Sequence, residues 1–133
     1  MIGAFLSWYL GELDGAVKLL IVMAVIDQFS GLLKAAILKQ WSSNIGFHGI
    51  ARKIFMFLLV GIANITGREI FGGSSALRDT VAMFYIANEG ISIIENAIEA
   101  KAPVPDGFKD WFLSWRNKKL ISKNIPNKDN DDS

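Results

Sequence analysis

The chain has 133 residues, 51% of them apolar and 20% charged, with a formal net charge of +1, no cysteine and one histidine. That is at most one domain and too apolar for an ordinary soluble fold, so the composition describes a small membrane protein. The absence of cysteine excludes a disulfide framework, cysteine-ligated zinc, haem attachment and thiol catalysis, and His48 alone argues against a metal site.

The first stretch, "MIGAFLSWYLGELDG", lacks a basic leading region and a small-residue cleavage site, so it is not a secretory signal and is expected to remain in the mature protein. Residues 1–15 read as a short N-terminal interfacial segment. Three apolar stretches follow, at 16–38, about 50–67 and 80–98. At ~1.5 Å per residue each covers roughly one hydrocarbon core, and together they predict a three-span transmembrane domain over 16–98. Asp14 and Thr80 occupy expected N-cap positions, and Gly72 and Gly73 break the chain after the second stretch. A soluble helical bundle is the competing reading, but "IFMFLLVGIA" is apolar on every side, which an outer helix in water would not be.

Lysine and arginine in the loops set the expected orientation. The first 15 residues have none. The 39–53 linker has Lys39, Arg52 and Lys53 and no acid, the 68–79 linker has Arg68 and Arg78, and seven follow residue 98. The expected fold is an all-α integral membrane protein with three transmembrane helices, the N-terminus outside, the C-terminus cytoplasmic and an amphipathic C-terminal segment.

That segment belongs to a cytoplasmic region, 99–133. Pro103 and Pro105 end the preceding helix, and "DGFKDWFLSWRNKKLISK" repeats Phe108, Trp111, Phe112 and Trp115 at helical spacing among Lys109, Arg116, Lys118, Lys119 and Lys123. Such a pattern fits an interfacial helix against anionic headgroups, with Lys109, Trp111, Trp115, Arg116, Lys118 and Lys119 at the membrane surface, or a helix docked on the protein's own cytoplasmic end. The final "NIPNKDNDDS" is too polar to fold and is expected to be disordered.

The spans carry polar stripes. Tyr85, Asn88, Glu89, Ser92, Glu95, Asn96 and Glu99 fall within an arc of roughly 120° on a helical wheel. A central acid costs ~2.5 to 3.5 kcal/mol on insertion, about what the apolar residues of 80–98 return, so this span needs a protein or water neighbour. In the first span Asp27 sits at the midpoint with Ala24, Gly31, Lys34 and Ala35 on its face; in the second, Gly61, Asn64 and Arg68 share a side. Lys18 and Lys34, nearer the span ends, can snorkel. The candidate pore-lining or oligomer-interface residues are therefore Asp27, Gly31, Lys34, Gly61, Asn64, Tyr85, Asn88, Glu89, Ser92, Glu95 and Asn96. If the first and third spans run parallel, Asp27 and Glu89 meet at the midplane and Lys34 falls at the depth of Glu95, predicting a Lys34–Glu95 ion pair within a protomer or between neighbours.

Intramembrane charges mark function by default, and several functions would use them. They could be paired within each protomer and merely fix its packing, form a surface that exchanges helix contact for water in an oligomer, or serve a small ion channel. Asp27, Glu89 and Glu95 have no nucleophile elbow, phosphate loop or metal-ligand cluster beside them, so an enzyme is not expected, and His48 reads as a loop or interface residue.

At "DQFSG" (27–31), "SSNIGFHGIARK" (42–53), "LRDTVAMFYIANEGISIIENA" (77–97) and "PVP" (103–105) the sequence resembles the toxin-secretion and phage-lysis holin family. "EAKAPVP" departs from it in lacking a glycine shortly before the prolines. The resemblance implies a multi-pass protein of the host cytoplasmic membrane that forms homo-oligomers and, at a set time, opens lesions through which an endolysin, or a toxin, leaves the cell. It implies the bilayer and the chain's own copies as partners, a functional partnership with an endolysin without necessary contact, no nucleic acid and no cofactor. The alternative is a small oligomeric ion channel or a structural membrane protein with paired intramembrane charges.

Overall fold

The computed structural model describes residues 1–124. It contains α1 (Ile2–Leu10), α2 (Gly15–Ile37), α3 (Ser43–Ile70), α4 (Ala76–Glu99) and α5 (Asp106–Asn124), with no strand among the described residues. Residues 1–101, holding α1 to α4, form one compact unit, and α5 belongs to a second that begins at Ala102. Most of the tail expected to be disordered lies outside the described residues.

Local chemistry sets the helix ends. Asp14 caps α2 as expected: its carboxylate accepts from the Val17 N–H at 3.4 Å. Lys39, at φ 54°, turns the chain out of that helix. No proline precedes Pro103, so α3 and α4 run unbroken. The end of α3 is wrapped by a glycine turn, in which the Gly67 carbonyl accepts from both Phe71 and Gly73 N–H at 3.1 Å, and Gly72 and Gly73 take φ values of 66° and 87°. At the end of α4 the missing glycine finds its place: Lys101 adopts φ 59° just ahead of Pro103, a conformation that favours glycine.

Two boundaries differ from the sequence reading. The second long helix starts at Ser43, not near residue 50, so Arg52 and Lys53 are helical and the true linker retains only Lys39 of the cations counted for orientation. Thr80 is not a cap; α4 begins at Ala76, and the Thr80 hydroxyl donates back to the Ala76 carbonyl at 2.7 Å.

Within residues 1–101, α2 and α4 lie side by side and parallel. Asp14 meets Arg78 near one end and Lys34 meets Glu99 near the other. Between them in sequence, α3 returns antiparallel, with Lys53 against Asp27 and Glu89, and Gly67 beside the turn into α4. A small apolar cluster of Leu10, Leu20, Ala24, Met56, Val60 and Ala82 joins the four helices, flanked by Tyr9, Phe57, Tyr85 and Ile86.

The first helix is seated on α3. The Tyr9 ring lies over Gly61, where a Cβ would overlap it, and its hydroxyl donates to the Leu58 carbonyl at 2.8 Å. Asn64 donates to the Tyr9 carbonyl at 2.9 Å, and the Arg68 guanidinium stacks 5.6 Å from the Trp8 ring.

The surface inverts the pattern of a soluble protein. Val22, Val25, Phe29 and Leu33 make an exposed stripe on α2, with Phe55, Leu59 and Ile62 exposed on α3 and Met83 and Phe84 on α4. Asp27, Arg78, Glu89 and Asn96, by contrast, are buried. Left in water, each large apolar side chain forgoes about 1.5–3 kcal/mol of burial. Both α2 and α3 are long and apolar enough to cross a membrane, with only 22% and 17% of their apolar windows buried, unlike the core helix of a soluble protein. Comparable in length, α4 carries Arg78, Asp79, Glu89, Glu95 and Glu99.

Candidate functional site: a buried polar seam between three helices

Helical periodicity brings the seam together. On α2, Val17, Leu20, Ala24 and Asp27 succeed one another at three- and four-residue steps and are all buried, with Ser30 and Gly31 one turn further along. On α4, Ala82, Glu89 and Asn96 repeat at seven and face α2 and α3. On α3, Met56, Val60, Ala63 and Gly67 form the buried stripe, and Lys53 begins it three residues before Met56.

At the centre stands the Lys53 ammonium. Its Nζ is 2.6 Å from Oδ2 of Asp27 and 3.1 Å from Oε2 of Glu89, so one cation from α3 serves two carboxylates from α2 and α4. The three side chains are 16%, 11% and 8% exposed. The contact with Asp27 is also a hydrogen bond, whereas Glu89 Oε2 is buried without one, held only by proximity of charge. With both acids ionised the group has one more negative than positive charge.

The seam continues through carboxamide and hydroxyl groups. Asn96 Nδ2 donates to Ser30 Oγ at 2.9 Å and to Asp27 Oδ1 at 3.3 Å, and Ser30 in turn donates to the Asp27 carbonyl at 2.9 Å. Gly31 lies beside Asn96, 3.7 Å from Nδ2 to where a Cβ would stand, so a methyl fits there in ordinary contact. Within the protomer Lys34 pairs with Glu99 at 2.8 Å instead of Glu95. The physical reason is that Lys34 lies in the last turn of α2 and Glu99 closes α4, where both side chains remain about a third exposed and reach the same helix ends.

A second charged cluster closes the opposite end. Buried Arg78 binds Asp14, bonds Asp79 at 2.8 Å and donates to the Glu12 carbonyl at 3.3 Å, pinning the α1–α2 turn to α4. Partial desolvation of Asp14 opposes its ionisation, but the Val17 N–H and the Arg78 guanidinium prevail and hold its carboxyl below the usual aspartate value.

Of the candidates from sequence, Asp27, Gly31, Glu89 and Asn96 meet in the seam, and Lys34 sits at its edge. Tyr85 flanks the apolar cluster, Ser92 and Glu95 are half-buried, and Asn88 is exposed beside Phe84. Gly61 and Asn64 form the seat of α1.

Compared with known proteins, residues 4–117 match the bacteriophage holin family. The chain belongs to that family. It is 40% identical over 129 residues to an uncharacterized protein of Listeria monocytogenes, covering 97% of this chain and 91% of the relative. It is 33% identical over 118 residues to an uncharacterized 14.9 kDa protein of Clostridium perfringens, covering 89% of each. A probable holin of Bacillus phage phi105 is 36% identical over 96 residues, 70% of each chain. No solved structure matches. Family membership and the two apolar helices together make this holin-family chain a membrane protein.

Sequence reasoning missed Lys53 and Ser30. In the sequence Lys53 reads as a cation of the 39–53 linker although it already lies within the apolar run that begins near residue 50. The stripe of Met56, Val60, Ala63 and Gly67, extended backwards by one step, reaches it and was the available signal.

Proposed function

We propose that the chain is a phage holin: it crosses the host cytoplasmic membrane three times through α2, α3 and α4, with the N-terminus outside and the C-terminus cytoplasmic, forms homo-oligomers and opens timed lesions that release an endolysin. The observation that carries this reading is the inward-turned seam. Asp27, Lys53, Glu89 and Asn96 partly neutralise and solvate one another inside the protomer while the outside is apolar, so the inserted protomer can accumulate in lipid. Once copies gather, the seam offers a ready polar surface, and opening it replaces internal ion pairs with water instead of exposing bare hydrocarbon. Family membership supports the lysis role, and the alternating directions of α2, α3 and α4 support three crossings.

On this reading Asp27, Gly31, Lys53, Ser92, Glu89 and Asn96 line the lesion. Asn88, polar on an otherwise apolar outer side of α4, contacts a neighbouring copy, where a carboxamide in lipid finds a hydrogen-bond partner. Gly61, Asn64 and Tyr9 keep α1 in place within each copy.

A second reading draws on the same observation. Charges gathered inside one protomer also suit a structural protein or a small channel. Expression in a bacterium with and without a cytoplasmic endolysin separates the three. Lysis that requires the endolysin, with release of a folded cytoplasmic protein, supports the holin. Ion leakage alone supports a channel, and neither supports a structural role.

A further inference from the structure

The seam leaves α5 unused, and one of its faces is aromatic and edged by cations, while the exposed Leu120 and Ile121 lie on the other side. At ~100° per residue, Trp111, Trp115 and Phe108 fall within an arc of about 60°. All three are exposed, Trp111 most at 57%. Phe112, on the neighbouring flank, is buried. Lys118 borders this face on one edge and Lys119 on the other, with Lys123, Arg116 and Lys109 following on the same side as Lys119. Lys119 Nζ lies 5.0 Å from the Trp115 ring centroid, joining cation and aromatic into one surface. Asp106 and Asp110, the acids of this helix, stand on the far side of the wheel.

We propose that this face of α5 binds the surface of an anionic bilayer, with Trp111, Trp115 and Phe108 in the headgroup layer and the flanking lysines on lipid phosphates. Charge complementarity names this occupant. The face edged by cations excludes acids, which suits a continuous negative surface, and tryptophan suits the boundary between hydrocarbon and water. The apolar residues of this face are few and aromatic, which gives shallow seating, not insertion. Residues 100–105 tether α5 to α4, so the inference rests on reading the chain as membrane-inserted. Each lysine near an anionic surface favours the bound state about five-fold, so the four lysines outweigh the aromatics in choosing among lipids.

The test uses the full chain carrying Trp8→Phe and Trp41→Phe, leaving Trp111 and Trp115 as reporters. It is reconstituted in vesicles of phosphatidylcholine with or without phosphatidylglycerol, each with brominated acyl chains, and floated on a density gradient. In floated vesicles, bromine should quench tryptophan emission strongly only with phosphatidylglycerol, and half-molar salt should reverse most of the quenching. Changing Lys109, Lys118, Lys119 and Lys123 to Gln should reduce the anionic preference at least tenfold, while changing the same four to Arg, or Asp106 and Asp110 to Asn, should preserve it. Equal quenching in both vesicles, or no quenching in either, overturns the proposal. So does buried tryptophan without quenching accompanied by α5-to-α5 crosslinks, which would assign the face to a second copy. Protein that does not float with vesicles overturns the membrane reading itself, and this proposal with it.

Discussion

Lys53 Nζ lies 2.6 Å from Oδ2 of Asp27, and the same ammonium is 3.1 Å from Glu89, so three helices share one buried cation. Removing it strands two carboxylates at once. Lys53→Met should therefore cost about 3–5 kcal/mol, the range for breaking a buried pair from one side. Glu89→Gln leaves the Asp27–Lys53 pair balanced and should cost less than half as much, with Asp27→Asn between the two. Reversible unfolding in mixed micelles, followed by circular dichroism, checks the order; a Glu89→Gln variant as unstable as Lys53→Met would show that the excess charge does not set it.

Glu89 also separates folding from function. In Glu89→Leu the span inserts more readily and the seam loses a water-seeking group, so lysis should be delayed or abolished at equal membrane abundance. Unchanged timing would remove Glu89 from lesion opening.

The Lys34–Glu99 pair, about a third exposed, belongs to the weak class. Lys34→Met and Glu99→Gln should each cost below about 1 kcal/mol. A double-mutant cycle should find coupling between Lys34 and Glu99 and none between Lys34 and Glu95.

At the other end, stability should depend on acid through Asp14. Its carboxyl is held below the usual aspartate value, so the stabilisation is complete above the unfolded value of about 3.9 and is lost as pH falls through the lower folded value. Asp14→Asn keeps a competent N-cap but loses the charge on Arg78, and should flatten this part of the stability–pH profile below about pH 4. An unaltered profile would place the acid sensitivity elsewhere.

The glycine that "EAKAPVP" lacks supplies a further check. Lys101 pays the left-handed penalty at φ 59°, so Lys101→Gly should stabilise the chain by about 0.5–1 kcal/mol, after the entropy that glycine adds to the unfolded state. No gain in thermal stability would mean that the Lys101 side chain compensates at that turn.

What was legible in the sequence followed from periodicity. The positions of α2 and α4, the inward faces of Asp27 and Glu89, and the meeting of these two acids could be read from three- and four-residue steps and matched depths. What escaped was set by tertiary contact. The start of α3 was hidden because Gly46, His48 and Gly49 weaken its apolar run, yet Gly49 lets Gln28 approach closely. Lys53 looked like a loop cation until its long stem carried the ammonium to two acids on other helices. The seat of α1 depends on Gly61 admitting the Tyr9 ring, which no pattern within either helix announces. Lys34 chose Glu99 over Glu95 because flexible side chains at helix ends settle by local reach and solvent, not by rise per residue alone.

The central claim is that the seam is dry in the accumulating protomer and wet in the lesion. The chain has no cysteine, so single replacements report cleanly. Ser30→Cys places a thiol on the seam, Ser92→Cys one at the half-buried position of α4 proposed to line the lesion, and Val25→Cys one on the exposed apolar stripe of α2. Labelling with a membrane-impermeant maleimide before and after lysis begins should leave all three unreactive beforehand, and afterwards label positions 30 and 92 but not 25. Labelling of the seam before lysis, or its continued protection while folded proteins escape, would contradict the account.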